Sequence, residues 1–362
     1  MKKIIIGIIL GIIIIGSTAC EPADSISEPL NCLDGYQEVD GKCEALEEVE
    51  LTIVNQNLYM NGEVFYIKGV CWNPVPQGGY HPADLDYNGS VEEDALLMRA
   101  AGINVVRTYE PITDIDVLDT LYENGIYVIN TVYPYGGLSV ESAVSHVNNL
   151  KDHPAILMWA IGNEWNYNGL YMNLTFLEAT ERINEVAAAI KEADATHPIT
   201  TIYGYLPSSS TVLSMPDIDI WGLNVYSGIT FGTLFNDWTQ VSDKPMYLAE
   251  YGADAWNSII NSLDEESQAE ATKALTQIII DQSQGLFPNN NTIGGTIFSF
   301  NDEWWKDTEG SVDTHDHGGI APGGGPYPDS TFNEEYWGIV DINRLPRQAY
   351  YELQKLYLDS EE

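Results

Sequence analysis

The sequence predicts an α/β protein built as a single (β/α)₈ TIM barrel with an N-terminal β-hairpin. Two patterns lead there. Short apolar segments alternate with segments of helical periodicity along most of the chain, and eight of the apolar segments have the length and composition of buried parallel strands. An open doubly wound sheet would carry a glycine-rich phosphate loop after its first strand, and Trp72-Asn73-Pro74 stands there instead.

The predicted strands are Phe65 to Trp72, Asn104 to Tyr109, Tyr127 to Tyr133, Ile156 to Gly162, Ile199 to Tyr203, Ile220 to Tyr226, Met246 to Glu250 and Gly295 to Phe300. Helical patterns lie between them: Val91 to Ala101 stopped by Gly102, Asp114 to Asn124 stopped by Gly125, Ser139 to Leu150, Leu174 to Ala195, a weak one around Thr211, Phe231 to Trp238, and Glu265 to Gln284. Pro346 to Tyr357 closes the series. Ahead of the first strand, Leu51 to Tyr59 and Glu63 to Ile67 flank Asn61-Gly62, a two-residue hairpin signal, in a position to cover the barrel floor.

With 44% apolar residues, residues 49–362 can fill one core as a single catalytic domain. A formal charge of −39 makes nucleic acid and anionic membrane surfaces poor partners; it suits a neutral substrate in a saline or extracellular setting, the alternative being a solvated acidic surface with no bearing on function. A monomer is expected. Residues 1–20 read as a targeting segment: Lys2 and Lys3, the aliphatic run Ile4 to Ile15, then Gly16-Ser17-Thr18-Ala19-Cys20. Small residues before a cysteine resemble a bacterial lipoprotein signal, which implies lipidation of Cys20 and an exported protein held at the outer membrane face by that anchor; a plain signal peptide or an uncleaved anchor is the alternative. Residues 21–48 read as an acidic linker. Within it Cys32 and Cys43 bracket a loop able to close as a small disulfide, and Cys71 reads as a core residue.

The active face of such a barrel is the C-terminal rim, so the strand ends supply the candidates. They are Trp72 and Asn73, Arg107 and Tyr109, Tyr133, Asn163 and Glu164, Tyr203, Asn224 and Tyr226, Glu250, and Asn301 to Trp305. No histidine, cysteine or lysine is among them, which disfavours metal, Schiff-base and thiol chemistry; no cofactor and no metal is expected. Tyrosine, tryptophan and asparagine suit sugar faces and hydroxyls. Glu164 ends the run ILMWAIGNEW and Glu250 ends MYLAEYG, two carboxyls each delivered by a strand tip. A retaining glycosidase needs two carboxyls roughly 5 to 5.5 Å apart, one neutral and one ionised. Arg107 and Tyr226 are suited to holding one of them ionised.

Three other features need weighing. Asp313-Thr314-His315-Asp316-His317 has ligand-type side chains, but it lies in a loop from Asp307 to Asn333 that reads as a substrate-side wall carrying Tyr327 and Phe332. His197-Pro198 sits at the opposite barrel end and reads as structural. Glu303 reads as a hydroxyl-binding residue, and Trp304 beside it as a sugar platform.

The order VVRTYEP, IGNEW, GLNVYSG and YLAEYG resembles the clan of retaining glycosidases whose two glutamates sit on barrel strands four and seven. FYIKGVCWNP and YWGIVDINRLPRQAYYELQ are similar to the barrel domain of glycoside hydrolase family 2, while IKGV, DIWGLNVYSG and the EYG turn also resemble β-1,3-glucanosyltransferases and β-1,3-glucanases of the clan. The resemblance implies Glu164 as acid/base, Glu250 as nucleophile, Asn163 on the sugar 2-hydroxyl, and Arg107 and Tyr226 behind the nucleophile. It implies a neutral β-glucan, preferably β-1,3-linked, as substrate. A transglycosylase, another β-glycosidase such as a galactosidase or mannosidase, and a catalytically silent glycan-binding barrel are the alternatives.

Overall fold

The computed structural model describes residues 36–39, 42–45, 49–283, 291–306, 311–316, 320–322 and 327–359. The chain divides into two units, residues 1–46 and 47–362. In the first, Tyr36–Val39 pairs antiparallel with Lys42–Ala45, so part of the stretch read as a tether is paired backbone. The signal at 1–20 with its Cys20, most of the linker, and Cys32 of the expected disulfide lie outside the described residues.

The second unit is a closed parallel barrel of eight strands: β1 (Ile67–Cys71), β2 (Val105–Arg107), β3 (Tyr127–Tyr133), β4 (Ile156–Asn163), β5 (Ile199–Gly204), β6 (Ile220–Asn224), β7 (Met246–Tyr251) and β8 (Thr292–Ile297). Each strand pairs with its neighbours in chain order, and β8 pairs with β1 to close the ring. Strand β8 begins three residues before the predicted start at Gly295. Gly294-Gly295 weakens the local strand signal, yet both glycines meet the backbone of a neighbouring strand where a side chain would collide.

The helices of five or more residues are α1 (Tyr87–Ala100), α2 (Ile115–Glu123), α3 (Val140–Leu150), α4 (Phe176–Ala193), α5 (Ser209–Leu213), α6 (Leu234–Val241), α7 (Glu265–Ser283) and α8 (Gln348–Asp359). Their starts follow capping chemistry: Asp114, Ser139 and Ser208 each accept a hydrogen bond from a backbone N–H of the first turn, and Thr175 with Glu178 forms a reciprocal capping box. Helix α1 starts four residues before the predicted Val91 because Asp86 caps it through the N–H of Gly89 at 2.8 Å.

The strands are apolar on both faces because both are covered. One face packs against the helices, where Trp159, Ile161, Leu223 and Leu248 meet Ile183, Val186 and Leu275. The other fills the barrel with Ile67, Val105, Ile129, Leu157, Ala160, Ile202, Ile220, Tyr247 and Ile293. The floor is closed by Leu58, which is fully buried in that interior cluster. Leu58 belongs to a three-stranded antiparallel sheet, Leu51–Val54, Asn57–Met60 and Glu63–Val64, rather than to one hairpin. The extra turn at Asn55-Gln56 puts both residues at positive φ, a conformation open to asparagine that no Gly or Pro signalled in advance.

Candidate active site

Strands β4 and β7 each carry an irregularity at the rim. Opposite β5, the β4 register slips where Thr201 pairs with Ile161 and Ile202 with Asn163; opposite β6, β7 slips between Leu248 and Glu250. Bulges of this kind re-aim a side chain. Glu164 follows directly in the left-handed region, φ 46° and ψ 34°, a conformation costing a non-glycine residue about 1 to 2 kcal/mol. Its N–H donates to the Ile202 carbonyl at 3.0 Å, which holds the turn.

Glu250 is buried and faces three donors. Arg107 Nη1 donates to Oε1 at 2.9 Å, the Tyr109 hydroxyl to the same oxygen at 2.7 Å, and the Tyr226 hydroxyl to Oε2 at 2.9 Å. Burial pushes both phenols well above the usual tyrosine range, with Glu250 adding to the effect, so both remain donors. Three donors and no acceptor form a setting suited to a carboxylate. Arg107 is itself fully buried, and Nη1 also donates to the Ala249 carbonyl at 3.0 Å.

Asn163 ties the two glutamates together. Its Oδ1 accepts from Arg107 Nη2 at 2.6 Å and from Asn224 Nδ2 at 3.2 Å, which turns its own amide NH₂ away from them. Asn224 also donates toward Glu164. Burial pushes the Glu164 pKa up to about 7, and the negative Glu250 nearby adds to the rise. One carboxyl therefore holds its proton up to about pH 7 while the other is surrounded by donors, the division of labour that acid/base and nucleophilic roles need.

Both open into a cleft of about 860 Å³ at the C-terminal rim. Of the residues expected at the site, Asn73, Tyr109, Asn163, Glu164, Tyr226, Glu250 and Glu303 line it; Arg107 and Asn224 are buried behind the glutamates. Glu303 accepts from Asn73 Nδ2 at 3.2 Å and lies 3.4 Å from Lys306 Nζ.

Trp72, Tyr133 and Trp304 do not line the cleft. The Trp72 ring is buried toward α1 and its Nε1 donates to Asp94 at 2.8 Å; the Tyr133 hydroxyl donates to the Leu138 carbonyl and meets Arg182; Trp304 stacks on His315. A strand-end residue can point either into the rim or outward to the helices, and these three take the second course or fold back on a loop. The neighbouring Trp305 lines the cleft instead, stacked on His81 with ring centres 4.7 Å apart. Phe332 lines it as well, whereas Tyr327 donates to Glu270 away from it.

Residues not anticipated at the cleft are His81, Glu110, Tyr135, Tyr171, Phe298, Lys306, Glu334 and Trp337. All but Phe298 and Tyr171, which ends a short 3-10 helix at Gly169–Tyr171, sit on loops whose return to the rim has no local signal. Cys71 is a buried free thiol, its Sγ 3.3 Å from the Ala249 carbonyl, in keeping with a core role. Among the described residues no group of three or more His, Cys, Asp or Glu is disposed to hold a metal ion; His317 lies outside them.

Residues 134–309 match the family described as glycosyl hydrolases family 2, TIM barrel domain. The β-glucuronidase of Felis catus is 23% identical over 336 residues, covering 83% of this chain and 48% of that protein. The β-glucuronidase of Sus scrofa is 25% identical over 283 residues, covering 70% and 40%. The chain thus spans about half the length of the curated relatives it matches. Among solved structures, the β-galacturonidase from Eisenbergiella tayi bound to galacturonate superposes with a TM-score of 0.61 at 20% identity, covering 88% of this chain and 55% of that one. The β-D-glucuronidase of Dictyoglomus thermophilum gives 0.62 at 19%, covering 89% and 56%. Sequence and fold together show a single (β/α)₈ barrel that resembles the barrel domain of glycoside hydrolase family 2.

Proposed function

We propose that this chain is a retaining β-glycosidase that cleaves a neutral β-glucan, with a preference for β-1,3 linkages. The observation that carries the catalytic part is the unequal treatment of two carboxyls in one cleft: Glu164 pushed up to about 7, Glu250 faced by three donors. In the first step Glu250 attacks the anomeric carbon, the glycosidic C–O bond breaks, and the Glu164 proton passes to the leaving oxygen. In the second, Glu164 takes a proton from water, which attacks the same carbon and releases Glu250. The anomeric configuration is retained after two inversions.

The relatives named above carry the names of uronidases, and their identity to this chain is too low to transfer a substrate. The neutral-substrate reading is supported by the cleft's carboxyl-rich lining and the chain's −39 charge. The β-1,3 preference rests on the motif resemblance alone. Transglycosylation is a second reading, favoured by Tyr135 and Tyr171, which line the cleft yet remain 40% and 60% exposed and offer faces for an acceptor sugar. An export signal and a lipid anchor at Cys20 belong to the same proposal, supported by the N-terminal residue pattern.

Product analysis on laminari-, cello- and manno-oligosaccharides tests the reading. Shorter β-1,3 oligosaccharides support endo-hydrolysis, monosaccharide alone exo-action, and products longer than the starting material transfer. Activity confined to another series contradicts the linkage and leaves the mechanism standing; binding without turnover across all series contradicts the enzyme.

A further inference from the structure

The cleft holds a charge arrangement that the catalytic steps do not use. Besides Glu164 and Glu250, three more carboxyls line it: Glu110, Glu303 and Glu334. Against them stand two basic side chains. Arg107 is committed to Glu250 and Asn163 and has no solvent exposure. Lys306 is the remaining cation among the described lining residues, and the undescribed stretches 284–290, 307–310, 317–319 and 323–326 contain no Lys or Arg. His81 adds no charge near neutrality: burial, with Lys306 adding to the effect, lowers its pKa to about 4.

Lys306 is in turn held from three sides. Its Nζ lies 3.1 Å from Glu334 Oε2, 3.4 Å from Glu303 Oε2, and 4.2 Å from the centre of the Phe298 ring. Burial alone would lower its pKa, but Glu334, Glu303 and Glu250 hold it above the usual lysine value. Glu303 is buried and also bound by Asn73, so it cannot turn away; Glu334 is a third exposed and is the partner on the open side.

We propose that Glu334, by neutralising Lys306, is a specificity-determining residue that makes this cleft accept neutral hexosides and reject hexuronosides. A sugar carboxylate entering the cleft needs a cation. The one available is already compensated by Glu303 and Glu334, and the carboxylates lining the open cleft repel an anion. Neutral hydroxyls, by contrast, find acceptors in Glu303, Glu334 and Glu110. This inference rests on the glycosidase reading and names its substrate class.

The test uses the full chain with 4-nitrophenyl β-glucoside, β-galactoside, β-glucuronide and β-galacturonide. The wild type should favour each neutral substrate over its uronate counterpart by at least about 100-fold in kcat/KM. Glu334→Gln removes one negative charge beside Lys306 and should narrow that ratio by roughly 10-fold or more, chiefly through better use of the uronides. Because the ratio is taken within one protein, partial loss of folding cancels. Adding Lys306→Gln to Glu334→Gln should restore the original discrimination. Equal turnover of both substrate classes by the wild type, or an unchanged ratio in Glu334→Gln, overturns the proposal while the glycosidase reading stands. If none of the four turns over, as with an endo-acting enzyme that needs a longer chain, the oligosaccharide products decide the glycosidase reading, and calorimetric titration with glucose and with glucuronate decides the selectivity: tighter glucuronate binding overturns it, and tighter glucose binding supports it.

Discussion

Arg107 Nη1 donates a 2.9 Å hydrogen bond to Glu250 Oε1, a charge pair in which the cation is fully buried and the carboxylate nearly so. The same guanidinium reaches Asn163 through Nη2 at 2.6 Å, so one side chain fixes both Glu250 and the amide beside Glu164. Arg107→Gln should therefore do two things. It should lower kcat/KM by about 100-fold or more by releasing Glu250 from its preorganised position. It should also destabilise the barrel by roughly 3 to 5 kcal/mol, because a buried charge loses its partner. Kinetics and chemical denaturation read the two effects separately, and Arg107→Lys, which keeps charge but not the fork, should fall between.

With Glu164 as the proposed acid, its protonation should set the alkaline side of the pH profile. Its pKa is pushed up to about 7, above the usual value of 4.5, so the acid is lost as pH rises through about 7 and turnover of substrates with poor leaving groups should fall there. Glu164→Gln should remove that limb, and an aryl glycoside whose leaving group needs no proton should be less affected by it. The stability consequence has the same sign. The folded state binds this proton more tightly than the unfolded chain, so the wild type should lose stability relative to Glu164→Gln as pH rises from about 4.5 to 7. Melting temperatures of the two proteins across that range check the difference.

Azide separates the two carboxyl roles. Glu250→Ala should abolish turnover, and azide should restore cleavage with inverted configuration by entering where the carboxylate stood. Glu164→Ala should still form the glycosyl-enzyme from activated substrates, and azide should then give a product of retained configuration. The opposite pairing would exchange the assignments.

Trp72 was expected to face the sugar and is instead bound to Asp94, which also receives Arg344 at 2.8 Å. Trp72→Phe should leave kcat/KM within about twofold and cost roughly 1 to 3 kcal/mol of stability, the range for a buried hydrogen bond that loses one partner. A large loss of activity without loss of stability would return Trp72 to the substrate.

The barrel and both glutamates are legible from residues alone because their signal is local: a continuous apolar run, then a polar tip, repeated at the right intervals. The direction of a strand-end side chain is less legible. One position of register separates Tyr109 in the cleft from Trp72 against the helices, and bulges alter that register without a sequence mark. Lys306 and Glu334 could not have been placed together by pattern at all. They lie 3.1 Å apart although 28 positions separate them in sequence, a pairing decided by tertiary packing.

The central claim is that Glu250 attacks the sugar. Incubation with an activated 2-deoxy-2-fluoro β-glycoside of the preferred neutral sugar, followed by mass spectrometry of the intact chain and of its proteolytic peptides, tests this directly. One added glycosyl unit per chain is expected, mapped to Glu250, slowly released by water and faster by an acceptor sugar. A label on Glu164 or Glu303, or turnover with inverted product and no label, would contradict it.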